Sequence, residues 1–335
     1  MRGAVEAVPL YISLEPTPLT KNTMGVNGLH AGIKHMLIRS HVSSFKGSRA
    51  ACDASSWMVK GGTTHAREIF TEPGYSKTPW TEYVVAMVRL LREHGVVPIL
   101  VFDGKRHPLK QETSDQRRQH KEAARRDAEE AEAAGDIDRA RSKWMQAFSL
   151  TSDMQQHTKD TLTELGVTCI DAESEADQTL AALSVTGQVD VVITEDGDLV
   201  AYGCPRILFK LRHDGEGDLF NVDSPVCTTM HSQKRQKTII VDIKGLTKQQ
   251  VAMLCVFSGN DYITNVSKGW GFKRVYSVIQ HCTSIEDAFV EFQKRGLSIS
   301  DEYKGRARAC FRIFRFPQYY VPGKIGRLWL VSGLG

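Results

Sequence analysis

Four apolar runs in this chain hand over directly to acids, and no other feature limits its possible folds so tightly. Ser48–Asp53 (SRAACD) ends at Asp53 and Val96–Asp103 (VVPILVFD) at Asp103. Gly166–Asp171 (GVTCID) leads to Glu175 and Asp177, and Val189–Thr194 (VDVVIT) to Asp196 and Asp198. Runs of this length, nearly continuous in apolar residues, suit strands covered on both faces. Helical segments lie between them. Trp80–His94 carries apolar residues at 80, 83, 84, 87, 88, 90 and 91 and stops before Gly95. Ser174–Leu183 is expected as a helix with Ser174 as its N-cap. Ile207–Leu211 is expected as a strand and residues 214–237 as a loop. Helices are expected at 247–257 and near Phe272–His281, around the turn SGNDYI. Strands alternating with helices predict an α/β fold, with a mostly parallel central sheet and helices on both faces.

In such a sheet the carboxyl ends of the strands form the ligand-binding rim. The acids at those ends would therefore gather and repel one another, and divalent cations would relieve the repulsion. An all-oxygen ligand set favours Mg²⁺ or Mn²⁺ over zinc. Two ions about 4 Å apart suit phosphodiester hydrolysis. One Asp after one strand is most often a helix cap or turn residue. Asp196 and Asp198 alone would also fit a phosphatase or a sugar transferase. Four strand ends sharing the feature point to a metal cluster.

Composition excludes several classes. With 43 Lys+Arg against 39 Asp+Glu the formal charge is +4, which fits neither a polybasic tail protein nor an acidic disordered chain. No apolar run approaches the roughly 18 residues of a membrane span. Residues 1–23, broken by Pro9, Pro16 and Pro18, are expected to be a loose extension. Seven scattered Cys without a CxxC pair argue against a zinc site or a disulfide framework.

The charge is also segregated. Residues 104–126 hold eight bases against three acids, directly after Asp103. This polar segment continues to 150 and reads as two helices broken at Gly135. Lys110, Arg117, Arg118 and Lys121 are its candidate phosphate contacts, against the plainer alternative of a solvated helix face. Asp261 lies in SGNDYITNVSKGWGFKRV, where Ser258, Gly269, Gly271, Lys273 and Arg274 could meet a DNA phosphate at a helix start. Residues 301–335 are basic again, with seven bases against two acids.

Together, MGVNGLH at 24–30, FKGSRAACDASSWMVKGG at 45–62, VVPILVFDGKRHPLK at 96–110, ESEADQTLAAL at 173–183, VVITEDGDLVAYGC at 191–204 and SGNDYI at 258–263 resemble the structure-specific 5′ nucleases. This is the flap endonuclease and XPG-like family, and the likeness is greatest to its exonuclease 1 branch. The resemblance implies a nuclease domain over 24–300 with a PIN-like fold. It implies that Asp53, Asp103, Glu175 and Asp177 surround one Mg²⁺ and that Asp196, Asp198 and Asp261 surround a second, with Asp177 between them. It implies that Lys110 and Arg117 reach the scissile phosphate, that 104–150 is a helical arch, and that 255–281 is a helix–two-turn–helix holding K⁺. The expected activity is 5′→3′ DNA exonuclease and flap cleavage in repair, in the nucleus of a eukaryotic source, with mismatch-repair or replication proteins as partners. A flap endonuclease of replication and a non-catalytic DNA-junction scaffold are the alternatives. Ser55 and Val59 stand where the exonuclease branch often has aromatic end-stacking residues. The turn before Gly271 is one residue longer than usual and carries Trp270.

Overall fold

The computed structural model describes residues 25–105, 107–223 and 241–315 in full, and the backbone of 318–321 and 324–327. The expected extension 1–23, Met24, Arg106 and the basic stretch 234–237 lie outside the described residues.

Seven strands form one sheet: β1 (Leu37–His41), β2 (Arg49–Asp53), β3 (Val97–Phe102), β4 (Thr168–Asp171), β5 (Val191–Thr194), β6 (Arg206–Phe209) and β7 (Glu216–Asn221). Their order is β1-β7-β6-β5-β2-β3-β4. The five strands from β6 to β4 are parallel, and β7 and β1 close one edge by antiparallel pairing. The chain runs from β2 outward to β4, then crosses back to β5 on the other side of β2. The switch point of the sheet, where ligands bind in folds of this kind, thus falls between β2 and β5.

The central strands are buried on both faces, and their side chains alternate strictly between two cores. Ala51, Ile99, Val101, Val192, Ile207 and Phe209 face one cluster. Ala50, Cys52, Leu100, Phe102, Val191, Ile193 and Leu208 face the other. Each large side chain fully buried this way contributes about 1.5–3 kcal/mol. The sheet edge is different. The strands at 37–41 and 216–221 are half-exposed and polar, so they offer no apolar run. The stretch expected as a loop from 214 therefore contains β7, whose ladder hydrogen bonds to β6 and β1 define it.

Helix Gln111–Ala133 turns at Gly135 and returns as helix Ile137–Ala147. Helix Lys248–Ser258 and helix Phe272–Ile279 flank residues 259–271. Helix Asp301–Arg315 packs Ala307, Cys310 and Phe314 into the first core, so residues 301–315 share that core with the sheet and its helices. Helix Ala176–Val185 begins two residues later than expected, and Ser174 does not cap it. Its first free N–H, at Ala176, donates instead to Asp103 Oδ1 at 2.9 Å. No helix among the described residues is long and apolar enough to cross a membrane.

Candidate metal centre

Six of the seven acids converge because they follow strands that end at the same rim, and Asp261 joins them from the turn after helix Lys248–Ser258. Asp53 ends β2 and both caps and anchors helix Ala54–Thr63. It accepts from the Ser56 amide at 3.2 Å and from the Ser56 hydroxyl, and the Thr194 hydroxyl reaches it at 3.3 Å from β5. The cap reading of a strand-end Asp is therefore correct here, and it coexists with a place in the acid cluster. Asp103 accepts from Ser55 Oγ at 2.7 Å as well as from Ala176. Asp196 accepts from the Asp198 amide at 2.9 Å, which folds the D-G-D loop back on itself.

At the centre, Asp177, Asp196 and Asp198 bring one carboxylate oxygen each within 4.8 Å of one another. Asp198 is fully buried, and neither of its oxygens has a hydrogen-bond partner. A buried carboxylate without donors is costly unless a cation meets it. Gly25 lies against this group: a Cβ there would collide with Asp196 Oδ1, and its φ of +77° suits glycine. The backbone following Met24 thereby forms one wall of the site.

The electrostatics tell the same story. Burial, then the neighbouring Asp196, pushes the Asp177 and Asp198 carboxyls well above their ordinary range. Burial, then Asp103, pushes Asp53 up to about 6. Burial raises Asp196 too, against the stabilising bond from the Asp198 amide. Burial would lower the Lys110 ammonium, but Glu175, Asp177, Asp198 and Asp261 outweigh it and hold its pKa well above the usual lysine value. The cluster carries more negative charge than the protein's own bases balance. Its all-oxygen donors fit hard divalent cations.

Glu175 and Asp261 face the short helical turn at Lys110 and the start of helix Gln111–Ala133. Lys110 Nζ lies 2.6 Å from Glu175 Oε2 and 3.8 Å from Asp261 Oδ2. Arg117 reaches Asp261 Oδ1 at 2.6 Å, and Thr113 Oγ1 donates to the Asp261 carbonyl at 2.8 Å. Arg118 does not join them. One residue on, it points about 100° away round the helix and pairs with Asp115 and Glu122 at the surface. Lys121 is half-buried on the same helix.

In the turn region, Gly269, Gly271, Lys273 and Arg274 line a shallow groove of about 410 Å³ with Gly28 and Gly32. Arg274 is braced there by its bond to the Gly269 carbonyl at 3.1 Å. Ser258 departs from its expected role. It is buried, with an unpartnered hydroxyl, because it sits on the inward face of its helix, so it does not present itself to a phosphate. Trp270 is half-buried and packs edge-on against Phe292 at the margin of the core. Ser55 is spent on Asp103, and Val59 is exposed.

Sequence reasoning missed the groups that hold the acids, Ser56, Thr194 and Tyr262, whereas the family likeness of MGVNGLH implies a glycine close to the site, where Gly25 lies. Only Ser56, three residues after a helix-capping Asp, left a local signal.

Two family models match: the XPG N-terminal domain over residues 24–124 and the XPG I-region over 166–261. Exonuclease 1 of Oryza sativa subsp. japonica is 32% identical over 299 residues, covering 89% of this chain and 34% of that protein. The chain spans between about a third and two fifths of the length of the curated relatives it matches first. Among solved structures, the catalytic core of Rad2 in complex with DNA substrate superposes with a TM-score of 0.60 at 19% identity, covering 90% of each chain. The Holliday junction-resolving enzyme GEN1, in complex with product DNA and Mg²⁺, superposes with a TM-score of 0.56 at 17% identity, covering 89% of this chain and 66% of that one. At these identities the structural matches establish the shared fold.

Proposed function

This chain belongs to the XPG-type family of structure-specific 5′ nucleases, and from that premise we propose that it is a metal-dependent 5′→3′ DNA exonuclease that also cuts 5′ flaps. The observation that carries this reading is Asp198, buried between Asp177 and Asp196 with both oxygens unpartnered. A scaffold that merely held DNA would gain nothing from so costly a group.

Asp53, Asp103, Glu175 and Asp177 are assigned to one ion and Asp196, Asp198 and Asp261 to the second, with Asp177 between them. Mg²⁺ is the favoured ion, and Mn²⁺ can replace it. A divalent pair bound there would supply an activated water and neutralise charge at the phosphate. The remaining work belongs to the chain's own residues. Lys110 and Arg117, aimed at Glu175 and Asp261, are in reach to turn onto a phosphodiester and hold its oxygens for in-line attack. The hairpin of 111–147 is assigned to the arch that admits a free 5′ end. Gly269, Gly271, Lys273 and Arg274 are assigned to the duplex backbone, where a helix N-terminus and two cations favour phosphate. K⁺ in the turn 259–271 and contacts with mismatch-repair or replication proteins follow from the family likeness. So does a place in the nucleus of a eukaryotic source.

The test compares wild type with Asp198→Ala on 5′-recessed duplex, 5′-flap and single-stranded DNA, with Mg²⁺ or EDTA. Wild type should release mononucleotides from duplex ends only with Mg²⁺, and Asp198→Ala should not. Equal, metal-independent behaviour would sink the nuclease reading. Cutting mainly at the flap base would identify a flap endonuclease instead.

A further inference from the structure

Tyr262 is buried where the acid rim meets the arch. Its hydroxyl donates to Glu175 Oε2 at 2.6 Å and lies 3.3 Å from the Tyr202 hydroxyl. Its ring carries Lys110 Nζ 4.5 Å from the centroid, while that Nζ sits 2.6 Å from the same Glu175 oxygen. The ring is wedged edge-on between His107 and Phe314, at 5.6 and 5.9 Å. Its amide donates to Asn260 Oδ1 at 2.8 Å. One rigid side chain therefore touches both a carboxylate and an ammonium that the proposed chemistry needs.

A glutamate has three rotatable bonds, and left free it would lose entropy on meeting a cation. With Oε2 tied to Tyr262 and Lys110, the carboxylate has one orientation before any ligand arrives. Outer partners of this kind fix the direction of a metal ligand. The ring face stabilises the ammonium from the other side.

We infer that Tyr262 is a positioning residue of this site: it fixes Glu175 as a divalent-cation ligand and holds Lys110 over it, so that acid and base act as one unit. The inference rests on the metal-dependent nuclease reading above. A tyrosine present only for packing would change stability and leave metal affinity alone.

Tyr262→Phe keeps the ring and removes the hydroxyl. Tyr202→Phe/Tyr262→Phe removes both hydroxyls, so neither is left unpaired. Calorimetric titration with Mg²⁺, and with Ca²⁺ as a second probe, should show roughly 10-fold weaker binding for either variant. Metal-free Tm should stay within a few degrees of wild type, and KM for DNA at saturating Mg²⁺ should not move. In a Glu175→Gln background the Tyr262→Phe change should cost no further metal affinity. Unchanged affinity in a folded variant, or an additive loss in that background, overturns the inference. Should neither variant fold, the ring resonance of Tyr262 in ¹³C-tyrosine-labelled wild type must shift on Mg²⁺ titration, and a static resonance overturns it. A wild type that binds no divalent cation and cuts no DNA overturns both readings. A wild type that does both, matched by Tyr262→Phe, overturns this one alone.

Discussion

The acid rim and the helical hairpin stand a few residues apart in the chain, yet they are built on opposite terms. The rim sits on strands buried on both faces, and its acids are held by Ser55, Ser56, Thr194 and the amides of two helix starts. The hairpin has a thin core of its own: Ala128, Ala131, Ala140, Trp144 and Phe148, with Ala66 from the body. Its ties to the body are specific. Arg67 bonds Glu132, which Trp144 Nε1 holds from within the hairpin, Phe70 stacks on Trp144, and Phe148 lies against Gly62, where a Cβ would collide with its ring. Groups that the proposed chemistry needs fixed to a fraction of an ångström stand on the large core, and the hairpin proposed to admit a polymer stands on the small one. Rigid supports preserve site geometry, while low local stability permits opening.

Breaking the rim should have the largest effect. Asp198→Asn should lower cleavage by roughly 10³-fold, equivalent to about 4 kcal/mol of lost transition-state stabilisation. It should also raise the metal-free Tm, because it removes one buried charge from a repelling set. A lower metal-free Tm would show that repulsion among the rim acids does not govern the stability of the metal-free fold. Next comes the join between the regions: Arg117→Ala should lower kcat by about 10²-fold. Arg118→Ala, one position on, should change it less than about 2-fold, as its partners are exposed. Equal losses on the same flap substrate would erase the distinction between the two arginines.

A smaller effect follows from Asp53. Its folded pKa of about 6 lies above the unfolded value near 3.9. Its contribution is therefore fully present below about pH 4 and is lost as pH rises through about 6. In thermal melts of metal-free protein, wild type should match Asp53→Asn near pH 4 and fall below it by pH 7. Saturating Mg²⁺ should close that gap. The smallest effect is confined to the hairpin. Glu132→Gln should leave global Tm within a degree or two while hydrogen exchange quickens in 111–147, since a largely solvated pair is worth about 0–1 kcal/mol. Uniform protection across rim and hairpin would end the contrast.

How legible this was from sequence varied with burial. Trp80–His94 and the four acid-ended runs were readable because burial on one or both faces writes itself as periodicity, and the hairpin break was readable because Gly135 takes the positive φ a helix end needs. The strands Leu37–His41 and Glu216–Asn221 were not, since half-exposed edge strands keep polar residues and owe their form to partners far along the chain. Ser174 looked like a helix cap by local chemistry. A stronger acceptor, Asp103, reaches Ala176 from the neighbouring strand and takes its place. The rise of helix Asp301–Arg315 into the core was equally hidden, because its buried face is only Ala307, Cys310 and Phe314.

What the sequence by itself determined is a central parallel sheet with carboxylates at its strand ends. Strands covered on both faces must be apolar, and the chain must turn polar where it leaves them. Only the tertiary structure decided which acid stands beside which, that Arg117 faces the site while Arg118 faces water, and that Tyr262 joins Glu175 to Lys110. Those relations are through-space distances between segments dozens of residues apart. Electrostatics and hydrogen bonding act over a few ångströms of space, not along the chain, so strand order and helix rotation had to be in place before any of them existed.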